Sequence, residues 1–195
     1  MTPNRLGLLA LTLCLSITGC SSVITATRDK PIDDDRGTRT FGSKIDDSLI
    51  ETKVAVNVAK ASPDLENNSH IVVTSFNGIV LLAGQTPRPD LKAMAEQAAS
   101  EVQRVKKVHN ELQVLPPSGF LARQNDGWLT TKIKTQMLTD ASVPASRIKV
   151  VTENGIVYLL GLLTQQEATQ ATNLVQGVSG AVSYTHLRAH ETRED

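Results

Sequence analysis

Residues 71–84 read IVVTSFNGIVLLAG, and the same pattern returns 77 positions later as IKVVTENGIVYLLG in residues 148–161. Each copy places two runs rich in β-branched residues on either side of an Asn-Gly pair, Asn77-Gly78 or Asn154-Gly155. Asn-Gly tolerates the positive φ angles of a type I′ turn, so each copy is predicted to be a β-hairpin. This internal repeat is the most informative feature of the chain.

The segments that flank the hairpins repeat as well. Upstream, residues 47–54 match residues 126–133 at a separation of 79, and both indicate a helix with an Asp near its N-cap, Asp47 or Asp126. Downstream, small and β-branched residues spaced three and four apart indicate a second helix in each copy, at a separation of 73. The matched positions are Ala95, Ala98, Val102 and Val105 in the first copy and Ala168, Ala171, Val175 and Val178 in the second.

Each copy therefore has the order helix, hairpin, helix, strand. The second helix is expected to begin at Thr86-Pro87 in the first copy and with a capping box, Thr164 to Glu167, in the second. Residues 109–115 alternate as a strand before Pro116-Pro117 breaks the chain. We predict an α+β fold of two tandem units, each a small mixed sheet covered by two helices on one face. Part of the other face is expected to meet the second unit or the linker.

The paired hairpins with the pattern N-G-x-V-x-L-x-G, and the V-x-x-V ending of the second helices, resemble the BON domain, a module of the bacterial envelope, in tandem. The resemblance covers residues 44–182. It implies a first BON domain in residues 44–115, a linker in residues 116–123 and a second BON domain in residues 124–182. It also implies a role in outer-membrane integrity, envelope stress and cell division.

Residues 183–195 depart from the repeat. A closing strand that matches residues 110–115 should follow Val182, but the chain reads SYTHLRAHETRED there. We therefore expect the closing strand of the second unit to be lost and residues 183–195 to be a non-native tail, which resembles a translated sequencing adapter and adds no stability. His186 and His190 are four residues apart in this tail, but no metal site is expected there.

The first twenty residues have the pattern of a secretory signal. Arg5 precedes an apolar run in residues 6–17, which is too short to span a bilayer. The run ends in Ile17-Thr18-Gly19-Cys20, which resembles the lipobox of bacterial lipoproteins. The resemblance implies that residues 1–19 are a signal peptide and that Cys20 is the lipid attachment site, carrying diacylglycerol and a further acyl chain such as palmitate. Because no Asp follows Cys20, it also implies the outer membrane, facing the periplasm.

Residues 20–43 are predicted to be a flexible tether. Their composition offers almost no apolar periodicity, so this segment cannot bury enough surface to fold alone. The acidic run Asp33, Asp34 and Asp35 lies within it. Adjacent carboxylates in such a segment are more often solvated than metal-bound, so no metal site is expected.

The composition excludes broad classes of function. The 195 residues contain 20 Lys and Arg against 20 Asp and Glu, and only 3% of them are aromatic. The chain has no strong excess of basic residues, and it has few aromatic side chains that could stack on nucleic-acid bases. Nucleic acid is therefore not an expected partner. After the signal the only cysteine is Cys20, and His70 and His109 stand alone at predicted strand starts. We therefore expect no enzyme activity and no cofactor.

The single Trp of the chain gives the candidate binding site. In the first helix of the second unit, Leu129, Ile133 and Met137 form one apolar stripe, and Trp128 falls outside it, beside Lys132. Trp favours the membrane–water interface, and lysines attract anionic lipids. The sequence therefore predicts a binding site for anionic phospholipid, such as phosphatidylglycerol, in the second BON unit. The predicted site consists of Trp128, Thr131, Lys132, Lys134 and Thr135.

Two alternatives stay open. In the first, Trp128 covers the edge of the core or the linker, which Leu49 at the equivalent position of the first unit favours. In the second, the protein is an adaptor that binds proteins of the outer-membrane assembly or division machinery, and its lipid serves only as a tether. The first helix of the first unit mixes acidic residues with lysines, which suits protein contact better than membrane contact.

Overall fold

The structure is a computed structural model that describes residues 39–180 and the backbone of residues 183–188. The first repeat has the predicted order of helix, hairpin, helix and strand, with one short helix added before the hairpin. Its elements are α1 (Phe41–Ala61), α2 (Pro63–Asn67), β1 (His70–Phe76), β2 (Ile79–Thr86), α3 (Pro89–Ser100) and β3 (Lys107–Val114).

The second repeat follows the same order, with a single 3-10 turn (Ala145–Arg147) before its hairpin. Its elements are α4 (Phe120–Thr139), β4 (Ile148–Glu153), β5 (Ile156–Gly161), α5 (Gln165–Gln176) and β6 (Ser183–Arg188). The predicted α+β class with two similar units is confirmed.

Each repeat forms a mixed three-stranded sheet with the second hairpin strand in the centre. β1 pairs antiparallel with β2, and β2 pairs parallel with β3. β4, β5 and β6 repeat this arrangement. The turn residues have φ angles of 53° at Asn77, 80° at Gly78, 51° at Asn154 and 76° at Gly155. Two successive positive angles define a type I′ turn, so both predicted hairpins are confirmed.

Both helices of each repeat pack on one face of its sheet, as predicted. Successive residues of a strand point to opposite faces, so Val80 and Leu82 of β2 meet the helices while Leu81 points away from them. The first core includes Ile50, Val54, Val58, Val80, Leu82, Leu91, Ala95 and Leu112. The second core includes Leu129, Ile133, Met137, Val150, Val157, Leu159, Ala171 and Val175.

The other faces of the two sheets pack against each other. Phe76 and Leu81 of the first repeat form a shared buried cluster with Tyr158 and Leu160 of the second. The layers therefore run helices, sheet, sheet, helices, and α1 and α4 lie on opposite outer layers. The expectation that the second sheet face meets the other unit is confirmed.

The predicted starts of the first helices are wrong. α1 begins at Phe41, after the hydroxyl of Thr40 caps it by accepting a hydrogen bond from the amide of Ser43, and α4 begins at Phe120. Asp47 and Asp126 consequently lie inside their helices, where both are buried. The prediction was wrong because the local sequence around an Asp that precedes an apolar run does not distinguish an N-cap position from a position inside a helix. Residues 41–43 of the predicted tether and 120–123 of the predicted linker are helical.

The second helices correct two further details. α3 begins at Pro89 rather than at Thr86-Pro87, because Thr86 is the last residue of β2. α3 and α5 are equivalent at a separation of 76, not 73, as their bounds show. A pattern of small residues spaced three and four apart can be aligned equally well after a shift of three residues. The sequence pattern therefore does not distinguish a separation of 73 from one of 76. The predicted capping box is confirmed, since Thr164 and Glu167 exchange both hydrogen bonds.

The second repeat does have a closing strand. β6 pairs parallel with β5, from Ser183 opposite Ile156 to Arg188 opposite Gly161. The expected loss of this strand is therefore corrected. A parallel ladder consists of backbone hydrogen bonds, so a segment without the pattern of the first repeat can occupy the free edge of β5. The non-native origin of residues 183–195 stays a prediction.

Candidate functional site

Trp128 lies on the outer face of α4, as predicted. Its side chain is 60% exposed, whereas Leu129, Ile133 and Met137 of the same helix are buried. The buried three face the sheet because they follow each other one helical turn apart. An indole exposed to this degree does not seal the edge of the core, so its exposure favours a binding role over a packing role.

Three other large apolar side chains share this outer face. Phe120 is 69% exposed, Leu121 is 82% exposed and Leu138 is 76% exposed. At about 100° per residue, these three and Trp128 fall within an arc of about 100°, and they extend about 27 Å along the helix. We call the surface formed by Phe120, Leu121, Trp128 and Leu138 the α4 face. An apolar face of this size exposed on a helix is typical of a surface that binds a partner or a membrane.

Sequence reasoning missed three of these four residues. The sequence pattern places Phe120 and Leu121 in the linker, because it predicts a helix that begins near Asp126. Leu138 lies outside the buried stripe and ten residues from Trp128, so neither feature of the sequence points to it. All three residues can be identified by extending the helical periodicity from Trp128 toward both ends of the helix.

The ammonium group of Lys132 is held beside the indole. Its Nζ atom lies 5.0 Å from the centre of the Trp128 ring, which is a cation–π contact. The same Nζ donates to the hydroxyl of Ser179 at 3.1 Å and to the Ser179 carbonyl at 3.4 Å. The structure thus brings two predicted site residues together and fixes a positive charge at the border of the α4 face.

Thr131 and Thr135 lie on the α4 face between Trp128 and Leu138. Both are exposed. Their hydroxyl groups donate to backbone carbonyls one turn earlier, Thr131 to Gly127 and Thr135 to Thr131, each at 2.9 Å. Because these protons are used within the helix, the two threonines present methyl groups and an acceptor oxygen at the surface, rather than donors for a phosphate.

Lys134 stands apart from the pair of Trp128 and Lys132. It is about 120° from Trp128 around the helix. It lines a cleft of about 160 Å³ with Leu138 and Ile148, on the other border of α4. The two predicted lysines therefore do not form one cluster, and they flank the α4 face on opposite sides. Long side chains in this arrangement can keep their charges in water while their stems cover apolar surface.

A buried polar cluster between the repeats is the other candidate. The carboxylate of Glu153 accepts hydrogen bonds from the side-chain amide of Gln85 at 3.1 Å and from the hydroxyl of Ser118 at 3.4 Å. Nε2 of His70 lies 3.4 Å from the other carboxylate oxygen. The carboxylate, which belongs to the second repeat, thus has partners from the first repeat and from the linker. This arrangement joins the second repeat to the first repeat and the linker, which is a structural role.

Two further titratable groups, Tyr158 and His109, have pKa values shifted toward their neutral forms. Burial and the nearby carboxylates of Glu111 and Glu153 raise the pKa of Tyr158 to about 12. Burial and the charge of Lys107 lower the pKa of His109, although Glu111 opposes this. Both shifts have the same main cause, because burial removes hydration from a charged group and so favours its neutral form.

Two other kinds of site can be assessed in the described residues, a membrane-spanning helix and a metal site. None of the helices in residues 39–180 is both long and apolar enough to cross a bilayer. Within the same residues, no group of three or more His, Cys, Asp or Glu side chains is placed to hold a metal ion. The predicted lipid attachment site Cys20 and the acidic run Asp33 to Asp35 lie outside the described residues.

Comparison with known proteins agrees with this architecture. Residues 46–116 and residues 125–187 each match the BON domain family. The outer membrane lipoprotein DolP of Haemophilus influenzae is 40% identical over 142 residues, which cover 73% of this chain and 73% of that protein. A 21 kDa hemolysin of Actinobacillus pleuropneumoniae is 34% identical over 142 residues, with 73% of each protein covered.

A third relative is less similar in sequence. The osmotically-inducible protein Y of Escherichia coli is 30% identical over 148 residues, which cover 73% of this chain and 71% of that protein. The family match includes both hairpins, and its second part extends into β6. The chain therefore belongs to the BON-domain family, and it is an outer-membrane lipoprotein with two BON domains.

Proposed function

We propose that this lipoprotein binds anionic phospholipid, such as phosphatidylglycerol, through the α4 face of its second BON domain. In this role it supports the integrity of the envelope without catalysing a reaction. The observation that carries the proposal is the exposed Trp128 with the Lys132 ammonium on its ring, in the middle of an apolar helical face. The name hemolysin, given to one relative, also refers to an action on membranes.

The physical chemistry of the α4 face matches the border region of a leaflet. Trp places its ring among the upper acyl chains and keeps its N–H in the hydrated layer. A large apolar side chain gains about 1.5–3 kcal/mol when it leaves water completely, so even partial insertion of Phe120, Leu121 and Leu138 is favourable. Lys132 and Lys134, on the two flanks, each add about 1 kcal/mol near an anionic surface.

The expected anchor at Cys20 makes this modest affinity sufficient. Acyl chains on Cys20 hold the protein at the membrane continuously. Binding of the α4 face then becomes an intramolecular step, which the high local concentration of the bilayer favours. The anchor would hold the protein at the membrane, and the α4 face would decide which side of it lies against the lipid.

The competing function is an adaptor for outer-membrane assembly or division machinery, with the lipid only as a tether. In that case the α4 face would contact a protein and would have no affinity for lipid. Direct binding of vesicles by unlipidated protein separates the two functions, because an adaptor without its acyl chains stays in solution.

The test is flotation of residues 21–195, without acyl chains, with vesicles of phosphatidylglycerol and phosphatidylcholine. We expect the protein to float with the anionic vesicles, and Trp128→Glu to stay in solution. Met94→Glu is the matched control, because Met94 is an exposed apolar residue of α3, away from the α4 face. Trp128 fluorescence should also shift to shorter wavelength on the anionic vesicles. Wild-type protein that neither floats nor changes its fluorescence would contradict the proposal and favour the adaptor.

A further inference from the structure

The first BON domain exposes an apolar stripe of its own, on the outer side of α1. Phe41 is 79% exposed and Leu49 is 52% exposed, although α1 is packed on its sheet through Ile50 and Val54. At about 100° per residue, the exposed apolar residues fall within an arc of about 80°. We call this surface the α1 stripe, and it consists of Phe41, Ile45, Leu49 and Val56.

The α1 stripe occupies the same place in the first repeat as the α4 face in the second. At the separation of 79, Phe41 corresponds to Phe120, Leu49 to Trp128 and Lys53 to Lys132. The α1 stripe lacks the indole, however, and Val56 replaces the polar Thr135. Aliphatic residues four apart form a ridge that packs into the groove of another helix. The stripe extends about 22 Å from Phe41 to Val56, or about four helical turns.

The order of layers separates the α1 stripe from the bilayer. α1 and α4 cover opposite outer layers, because the two sheets between them are packed face to face. A leaflet that contacts the α4 face therefore lies on the far side of the protein from α1. This step rests on the proposed function, and it leaves the α1 stripe directed away from the membrane.

The charges beside the stripe indicate the chemistry of its partner. Lys44 and Lys53 lie on its two flanks, and neither ammonium group has an acidic partner within residues 39–180. The nearby acids are already engaged. Asp46 pairs with Arg104, Glu51 pairs with Lys149, and Asp47 accepts hydrogen bonds from the hairpin turn.

A small recess beside the stripe adds to this surface. It has a volume of about 190 Å³ and opens next to Leu49, between Lys53 and Arg104. With Asp46 also in its wall, the recess has one more basic than acidic side chain. It is large enough for an aliphatic side chain of a docked helix, and its charge favours an acidic group at its rim.

We infer that the α1 stripe is a docking site for an amphipathic helix of another envelope protein, whose apolar stripe is flanked by Asp and Glu. The aliphatic ridge selects a helix, and the free lysines on both flanks select acidic residues beside its apolar positions. The protein thus has two outward surfaces, one for lipid on α4 and one for an acidic helix on α1. A lipoprotein built in this way holds a partner helix beside the outer membrane.

The test uses a synthetic, fluorescently labelled helical peptide of 18 residues as the probe. Its apolar positions are Leu at three- and four-residue spacing, its flanking positions are Glu, and a second peptide carries Lys instead of Glu. Binding to the unlipidated full-length mature chain is followed by fluorescence anisotropy. We expect the Glu peptide to bind at least about tenfold more tightly than the Lys peptide, and its binding to weaken with salt.

The variants assign this binding to α1. Leu49→Glu and Phe41→Ser should each weaken binding of the Glu peptide about tenfold or more, and Met94→Glu should leave it unchanged. Leu49 is half exposed and Phe41 mostly exposed, so both variants are expected to fold, which circular dichroism checks. Equal binding of both peptides, or equal binding by wild type and Leu49→Glu, would overturn the inference.

Two further measurements exclude the other occupants. If Leu49→Glu abolishes vesicle flotation while Trp128→Glu floats, the α1 stripe is the lipid surface and the inference is wrong. If wild type dimerises in sedimentation experiments and Leu49→Glu does not, a second copy occupies the stripe and the inference is also wrong. Trp128→Glu that loses flotation but still binds the Glu peptide supports both surfaces, so failure of either proposal is seen separately.

Discussion

The carboxylate of Asp126 on α4 accepts a hydrogen bond from the backbone amide of Gly155 at 2.8 Å. Its second oxygen accepts one from the amide of Asn154, also at 2.8 Å. Asp47 holds the turn of the first repeat in the same way, at 3.0 Å from the amide of Gly78 and 2.9 Å from that of Asn77. Each hairpin is thus fastened to the first helix of its repeat by one buried aspartate.

Replacing Asp126 with Ala is expected to destabilise the protein by about 1–3 kcal/mol. The amides of Asn154 and Gly155 would lose their acceptor in a partly buried place, and an unsatisfied buried donor costs about this much. Urea denaturation measures the change. Asn125→Ala, at the exposed neighbouring position, is the matched control and should change stability by only a few tenths of a kcal/mol. An Asp126→Ala variant as stable as this control would contradict the role of the carboxylate.

Asp47 should make stability depend on acid. Burial opposes its ionisation, but hydrogen bonds from Gly78, Ser75 and Asn77 and from Arg39 outweigh burial and hold the pKa of Asp47 below the ordinary value of 3.8. The ionised form therefore stabilises the fold fully above pH 3.8, and this contribution is lost as the pH falls through the lowered pKa.

The measurement is the free energy of unfolding between pH 2 and pH 7 for wild type and Asp47→Asn. We expect the difference between them to be constant at neutral pH and to shrink as the pH falls below about 4. A difference that stays the same down to pH 2 would mean that the negative charge of Asp47 contributes nothing.

Replacing Gly155 with Val is expected to cost on the order of 1–3 kcal/mol, because a β-branched residue is strained at the φ of 76° found there. Gly155→Asn should cost much less, since Asn tolerates a positive φ. Thermal unfolding monitored by circular dichroism compares the two. If Gly155→Val melts at the wild-type temperature, the type I′ turn is not required.

Lipidation of Cys20 is expected in the bacterial envelope. The mature protein should begin at Cys20 and carry a diacylglyceryl group and an amide-linked acyl chain, which intact mass spectrometry of detergent-extracted protein measures. The Cys20→Ser variant should lack these masses and stay out of the outer membrane. A free N-terminal Cys, or cleavage at another residue, would contradict the lipobox interpretation.

Much of the fold could be predicted because it rests on local rules. Asn77-Gly78 and Asn154-Gly155 demand a tight turn, and the pattern around them demands a sheet with one face against helices. The prediction of where the first helices begin was wrong because it depends on tertiary contacts. Asp47 and Asp126 serve hairpins that lie about 30 residues further along the chain, and no local pattern distinguishes such an acceptor from an N-cap.

The candidate site was only partly predictable. The exposure of Trp128 followed from the helical period, since Leu129 and Ile133 had to face the sheet. Phe120 and Leu121 were missed because they precede the assumed helix start. The contact of Lys132 with Ser179 joins residues 47 positions apart, so it depends on packing that the sequence of one helix does not specify.

The shared cluster of Phe76, Leu81, Tyr158 and Leu160 joins the two BON domains, so we expect them to unfold together. Each domain alone would present the apolar back of its sheet to water, and that exposed surface would promote aggregation. Each repeat is therefore required by the other, because it covers the apolar sheet face that the other would expose to water. The outer helices α1 and α4 contribute no residue to this cluster, so their exposed faces can differ between the two domains without uncovering it.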